Sequence, residues 1–114
     1  MISALVGHLA GDYLLQNDWM ALNKKRSSWV CFVHCFIWSL AVCLFAWWPI
    51  WCFPILLVTH FIQDRTNVIL WYMQTVGQDK FATGPCSPWS IIVVDNVWHI
   101  VVIWCVWQLI LFST

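Results

Sequence analysis

The chain has 114 residues, of which 62% are hydrophobic and 9% charged, with a formal net charge of zero at neutral pH. Soluble domains carry about 25% charged residues, so this composition excludes an ordinary water-soluble domain. A neutral chain also offers no basic face for nucleic acid. The chain lacks glutamate and holds eleven tryptophans and seven phenylalanines. The class this implies is an all-α integral membrane protein, a four-helix antiparallel bundle forming one domain over residues 1–114.

In chain order, four stretches approach the roughly 20 apolar residues that a bilayer span needs. The first, Ile2 to Met20, is the least hydrophobic because it holds His8, Asp12, Gln16 and Asp18. It lacks the basic start of a signal peptide and is expected to be a retained helix. Within it, Gly7 and Gly11 form G-x-x-x-G one turn after Ala4, a spacing that lets helices approach closely, in one chain or between two. A basic turn with Lys24, Lys25 and Arg26 leads to the second span, Ser28 to Trp48, where His34 stands between Cys31 and Cys35. An uncharged turn through Pro49 leads to the third span, Pro54 to Met73, with His60, Asp64, Arg65 and Asn67. The loop Gly77 to Ser87 contains Lys80. Ser87-Pro88 then predicts an N-cap and a first-turn proline for the fourth span, Pro88 to Phe112, which holds Asp95, Asn96 and His99.

Lys24, Lys25, Arg26 and Lys80 all fall in the first and third connections, on one side of such a bundle. The positive-inside rule makes that side cytoplasmic and places both termini outside, in a multi-pass protein of the cytoplasmic (inner) membrane. Trp47, Trp48 and Trp51 are then expected in the outer aromatic belt, and Trp19, Trp29, Trp71 and Trp89 in the inner one. The six cysteines show no C-x-x-C pair, and in apolar runs they are expected to act as small hydrophobes rather than as a disulfide framework. Arg65 is expected to snorkel toward the inner interface.

The polar residues are more informative. His8 with Asp12, His60 with Asp64 and Asp95 with His99 are each four residues apart, which puts both members of a pair on one helix face. Counted from the helix ends at 1.5 Å per residue, Asp12, His34, Asp64 and Asp95 all lie about 10–14 Å from the inner surface, and His8, His60 and His99 about 6 Å deeper. Lipid cannot satisfy such groups, so they should face one another inside the bundle. Imidazoles and carboxylates together suit a divalent ion such as Zn²⁺, Mn²⁺ or Fe²⁺. Seven candidate ligands (His8, Asp12, His34, His60, Asp64, Asp95 and His99) exceed one tetrahedral site, so a dinuclear centre bridged by an aspartate is one arrangement. Gln16, Asn67 and Asn96 extend the same stripes and could orient the ligands. The bland alternative is a metal-free network of His–Asp hydrogen bonds that glues the helices. A third is a relay for protons or cations. Haem fits badly, because its pocket is largely apolar and a carboxylate stands one turn from three of the four histidines.

His8-Leu-Ala-Gly-Asp12-Tyr-Leu-Leu-Gln16, the later lysines, His34, Thr59-His60-Phe-Ile-Gln-Asp64-Arg65 and Asp95-Asn-Val-Trp-His99 together resemble a family of small bacterial and phage membrane proteins classed as a domain of unknown function. Its pattern reads roughly H-x-x-x-D-(F/Y)-x-L-Q, a lysine, a histidine, T-H-x-x-x-D and D-Q-x-x-H. Asn96 stands where that family usually has glutamine. The arrangement is more loosely similar to that of small membrane-bound metal-dependent hydrolases. The resemblance implies a shared architecture and site, and no established reaction.

The functional expectation is a metal-binding membrane protein, a metal-dependent hydrolase acting at the inner leaflet. His34 is its ligand or general base, and Asp12 is a second catalytic residue. Its substrate would be lipid-borne or a small phosphorylated molecule. The alternatives are proton or cation transport through the same cluster, and a structural or accessory subunit, phage-encoded or part of a homo-oligomer or larger complex.

Overall fold

A computed structural model describes the whole chain, Met1–Thr114. It is all-helical: α1 (Ile2–Leu9), a π-helical turn (Ala10–Leu14), α2 (Asp18–Asn23), α3 (Ser28–Ala46), α4 (Cys52–Arg65), α5 (Val68–Thr75), α6 (Asp79–Thr83) and α7 (Trp89–Ser113). Two of these, α3 with 19 residues and α7 with 25, are long and apolar enough to cross a membrane.

The other two expected spans are interrupted, and polar side chains explain both breaks. The first helix runs through the π turn and stops at Leu15. Asn17 then takes extended backbone, and its side chain accepts the Met20 N–H at 3.0 Å, which starts α2 afresh. The third stretch breaks at Thr66, also extended, whose hydroxyl accepts the Val68 N–H at 3.3 Å. Asn and Thr side chains offer the backbone local partners that compete with helix continuation. The expected cap at Ser87 does not form: α7 begins at Trp89 with Pro88 in the capping position. Helix α3 ends on Trp47, which adopts the left-handed conformation (φ 54°) usually taken by glycine.

Helix α1 packs along α3, α3 along α4, α4 along α7, and α7 returns to α1. The close approach of α1 to α3 depends on the two glycines. A Cβ at Gly7 would lie 2.8 Å from Val42 Cα and 2.9 Å from the Ala41 carbonyl oxygen, and one at Gly11 would lie 2.6 Å from Trp38 Cδ1. G-x-x-x-G therefore serves packing within the chain. The core around this contact comprises Ala4, Trp38, Val42, Cys43, Cys52, Leu56, Ile103 and Val106.

Polarity is inverted relative to a water-soluble protein. The outward stripe of α3 is Trp29, Phe32, Phe36, Leu40 and Leu44, all exposed, while its buried face carries His34 and Ser39 among Cys31, Cys35, Trp38 and Val42.

The basic turn between α2 and α3 is fastened to the end of α4. Lys25 Nζ donates to the Thr66 carbonyl at 2.6 Å and to that of Gln63 at 3.4 Å. The last carbonyls of a helix lack intrahelical partners, and a cation there also meets the negative end of the dipole. Arg65 donates to the Lys25 carbonyl at 2.8 Å and to Ser28 Oγ at 3.1 Å, which ties the end of α4 to the basic turn a second time.

Candidate metal centre

Spacing alone brings the members of each pair together. His8 Nδ1 lies 3.2 Å from Asp12 Oδ2, His60 Nε2 lies 3.3 Å from Asp64 Oδ2, and His99 Nδ1 lies 3.6 Å from Asp95 Oδ2. Packing then joins the pairs. His34 Nε2, on α3, is 3.0 Å from His60 Nε2, 3.1 Å from Asp64 Oδ2 and 3.3 Å from Asp12 Oδ1. His60 Nε2 is 3.7 Å from that same Asp12 oxygen. The other Asp64 oxygen, Oδ1, is 3.5 Å from His99 Nε2 on α7. All four histidines are at most 1% exposed, and Asp64 is 3% exposed.

Three overlapping groups emerge in which one ligand atom from each residue lies within 4.8 Å of the others: His34, His60 and Asp64; Asp12, His60 and His99; and Asp64, Asp95 and His99. These buried groups can hold a metal ion. A tetrahedral ion with bonds of about 2.0–2.1 Å sets its ligand atoms about 3.3–3.4 Å apart. The edges among His34 Nε2, His60 Nε2 and Asp64 Oδ2 are 3.0, 3.1 and 3.3 Å. Asp64 presents one oxygen to each of two groups, as a bridging carboxylate would.

Hydrogen bonding sets the tautomers. His99 Nδ1 lies 2.7 Å from the Asp95 carbonyl oxygen. A carbonyl only accepts, so in the neutral ring the proton is on Nδ1 and the Nε2 lone pair faces Asp64; a backbone carbonyl commonly plays this part for a metal-bound histidine. His8 has the opposite arrangement: its Nδ1 accepts the Trp38 indole N–H at 3.1 Å, and its Nε2 is buried without a partner. His8 belongs to none of the three ligand groups, although its ring stacks on that of His99. Asp12 Oδ1 and His99 Nε2 are likewise buried with no hydrogen-bond partner.

Two residues expected to serve elsewhere enter the cluster. Lys24, whose basic run reads first as a topology signal and second as a lipid head-group contact, places Nζ 2.7 Å from Asp64 Oδ2. Burial disfavours its ammonium, but the neighbouring Asp64 carboxylate outweighs this and holds its pKa above the ordinary lysine value. Trp38, expected only to pack, stacks on His60 with ring centroids 4.0 Å apart. A lysine in a basic run and an aromatic in an apolar run carry no distinguishing signal. Cys31 and Cys35 lie 3.8 Å apart beside His34 without joining a ligand group, and all six cysteines are free.

The cluster opens at one end into a cavity of about 530 Å³, whose lining includes Asp12, Asp64 and Asp95, Lys24 and Lys25, and the amides of Gln16, Asn67 and Asn96. Gln16 and Asn96 each tie the side-chain nitrogen to a carbonyl one turn back and leave the side-chain oxygen buried without a partner.

Fold and site together define a class: helical proteins, with two helices able to cross a bilayer, that bury histidines and aspartates fit to hold a metal ion. Within that class the chain belongs to the family described as "Protein of unknown function (DUF3307)", which matches residues 1–114. No curated protein and no solved structure matches it.

Proposed function

We propose that the protein is a membrane-embedded, metal-dependent hydrolase that works from the cytoplasmic leaflet of the inner membrane. In this reading the chain crosses the bilayer several times with both termini outside, and the α3 stripe of Trp29, Phe32, Phe36, Leu40 and Leu44 faces acyl chains. The observation that carries the reading is the triangle of His34 Nε2, His60 Nε2 and Asp64 Oδ2, with edges of 3.0–3.3 Å. The charges agree with it. Three carboxylates (Asp12, Asp64 and Asp95) outnumber the two ammoniums of Lys24 and Lys25 beside them, and only Lys24 contacts one of them, a deficit that suits a divalent ion.

Three protein ligands leave a fourth position for water, the usual form of a catalytic site. The ion, when bound, lowers the pKa of that water to near neutrality. His34 is a ligand in this arrangement. Asp12 Oδ1, unpartnered and 3.3 Å from His34 Nε2, is the residue that would take a proton from water and return it to a leaving oxygen. In such a hydrolysis the water oxygen would form the new bond to the acyl or phosphoryl centre as the ester bond breaks, the leaving oxygen taking the proton held by Asp12. Gln16 and Asn96 offer acceptor oxygens to water in the cavity. His99 and Asp95, together with Asp64, would hold a second ion.

A second reading is favoured by one contact. Lys24 Nζ, 2.7 Å from Asp64 Oδ2, already supplies a cation, so a metal-free ion network that fixes helix packing uses the same residues. Elemental analysis of the purified protein separates the two. The hydrolase reading requires at least one Zn²⁺, Mn²⁺ or Fe²⁺ per chain, lost in the Asp12→Asn, Asp64→Asn double variant. A wild-type chain that stays metal-free after incubation with each ion would sink it.

A further inference from the structure

Two spaces beside the cluster go unused by the ligands themselves. The 530 Å³ cavity is far larger than an ion and its water require, and it has a graded lining: carboxylates at the cluster, Lys24 and Lys25 beside them, and an apolar wall including Leu70, Trp89 and Ile91. The second space is a groove of about 340 Å³ between α4, α5 and α7, lined by Ile62, Val68, Trp71, Tyr72, Trp98 and Val102 among others. Ile69 borders both spaces. The groove continues to Thr59 and Val102, about one to two helical turns beyond Asp64 and Asp95, away from the basic turn. A polar space near the helix ends thus adjoins an apolar one that runs toward the middle of the helices. A lipid in the leaflet on the Lys24–Lys25 side has the same order of headgroup and tail.

We infer that the cavity takes the phosphate headgroup of a lipid from that leaflet while one of its acyl chains lies in the groove between α4, α5 and α7. This names the substrate class of the proposed hydrolase and rests on that reading through charge. Asp12, Asp64 and Asp95 outweigh Lys24 and Lys25 in the cavity until a divalent ion enters, and only then does the balance favour an anion. Lys24 Nζ sits on Asp64 Oδ2, so an ion held by that oxygen would leave the ammonium available to meet the phosphate.

Native mass spectrometry of zinc-loaded and zinc-free protein from detergent micelles tests this, because zinc and lipid are read in one spectrum. Dioleoyl phosphatidic acid, dioleoylglycerol and inorganic phosphate are the probes. The expected result is one phosphatidic acid per zinc-loaded chain, with affinity lower by about tenfold for dioleoylglycerol, for inorganic phosphate and for phosphatidic acid on zinc-free protein. Ile69→Trp, which fills the partition, should weaken phosphatidic acid about fivefold with zinc content unchanged. Val102→Trp, entering from α7, should do the same and serves if the first variant does not fold. In zinc-loaded protein, equal retention of dioleoylglycerol or of inorganic phosphate, or indifference to the tryptophan variants, overturns the inference and leaves the metal site standing. Equal lipid binding without zinc overturns the charge link. A chain that binds no zinc, manganese or iron overturns the underlying reading instead.

Discussion

Gly7→Ala and Gly11→Ala add the same methyl group to the same helix, yet the structure assigns them different consequences. At Gly7 the two nearest obstacles are backbone atoms, Val42 Cα at 2.8 Å and the Ala41 oxygen at 2.9 Å, so α1 and α3 must move apart. Overpacking costs about 1–3 kcal/mol, and a backbone obstacle belongs at the upper end. The better helix propensity of alanine returns about 1 kcal/mol, leaving a net loss of about 2 kcal/mol. At Gly11 the nearest atom is Trp38 Cδ1 at 2.6 Å, while the nearest backbone atom, Trp38 Cα, stands off at 3.1 Å, so the strain falls mainly on the indole. The net stability loss there should be only about 1 kcal/mol. The indole, however, stacks on His60 and holds His8, so turning it displaces a proposed ligand. Thermal unfolding in detergent, at about 4 °C per kcal/mol for a chain this size, should therefore rank Gly7→Ala as the less stable. Zinc titration calorimetry should rank Gly11→Ala as the weaker binder. A Gly7→Ala protein as stable as wild type, or a Gly11→Ala protein with unaltered zinc affinity, would refute the packing argument.

Three other outcomes follow from the same geometry. His60→Ala should abolish stoichiometric metal while His8→Ala keeps it, because only His60 belongs to the ligand groups; elemental analysis that finds the two alike counts against the assignment. Asp64→Asn leaves the half-buried Lys24 opposite a neutral amide and should cost about 3 kcal/mol, much of which Lys24→Met should restore in the same chain; denaturant titration of both variants checks this, and no recovery would mean the pair is not the cause. Chelation should destabilise the loaded protein by about 2.7 kcal/mol when free metal had stood at 100 times its Kd, and Asp12→Asn, Asp64→Asn protein should not respond; a melting temperature indifferent to chelator in wild type points to the metal-free network.

Composition and spacing alone were enough for the helical class, the apolar lengths of α3 and α7, and the three pairs of residues four apart, while the family was legible only as a resemblance in ordered motifs. These are local matters: composition selects the class, and the helical repeat places residues four apart on one face whatever surrounds them. Everything else came from packing. The same local pattern predicts four unbroken spans, and the Asn17 and Thr66 side chains broke two of them. It ranks His8 equal to His60, yet His8 Nδ1 is taken by the Trp38 indole N–H and the ring joins none of the ligand groups. Lys24 meets Asp64 across 40 residues of chain. No periodicity encodes that contact, because it depends on how the basic turn seats against the end of α4. Such partners are chosen by the packing of whole helices, and that packing is a property of the folded chain.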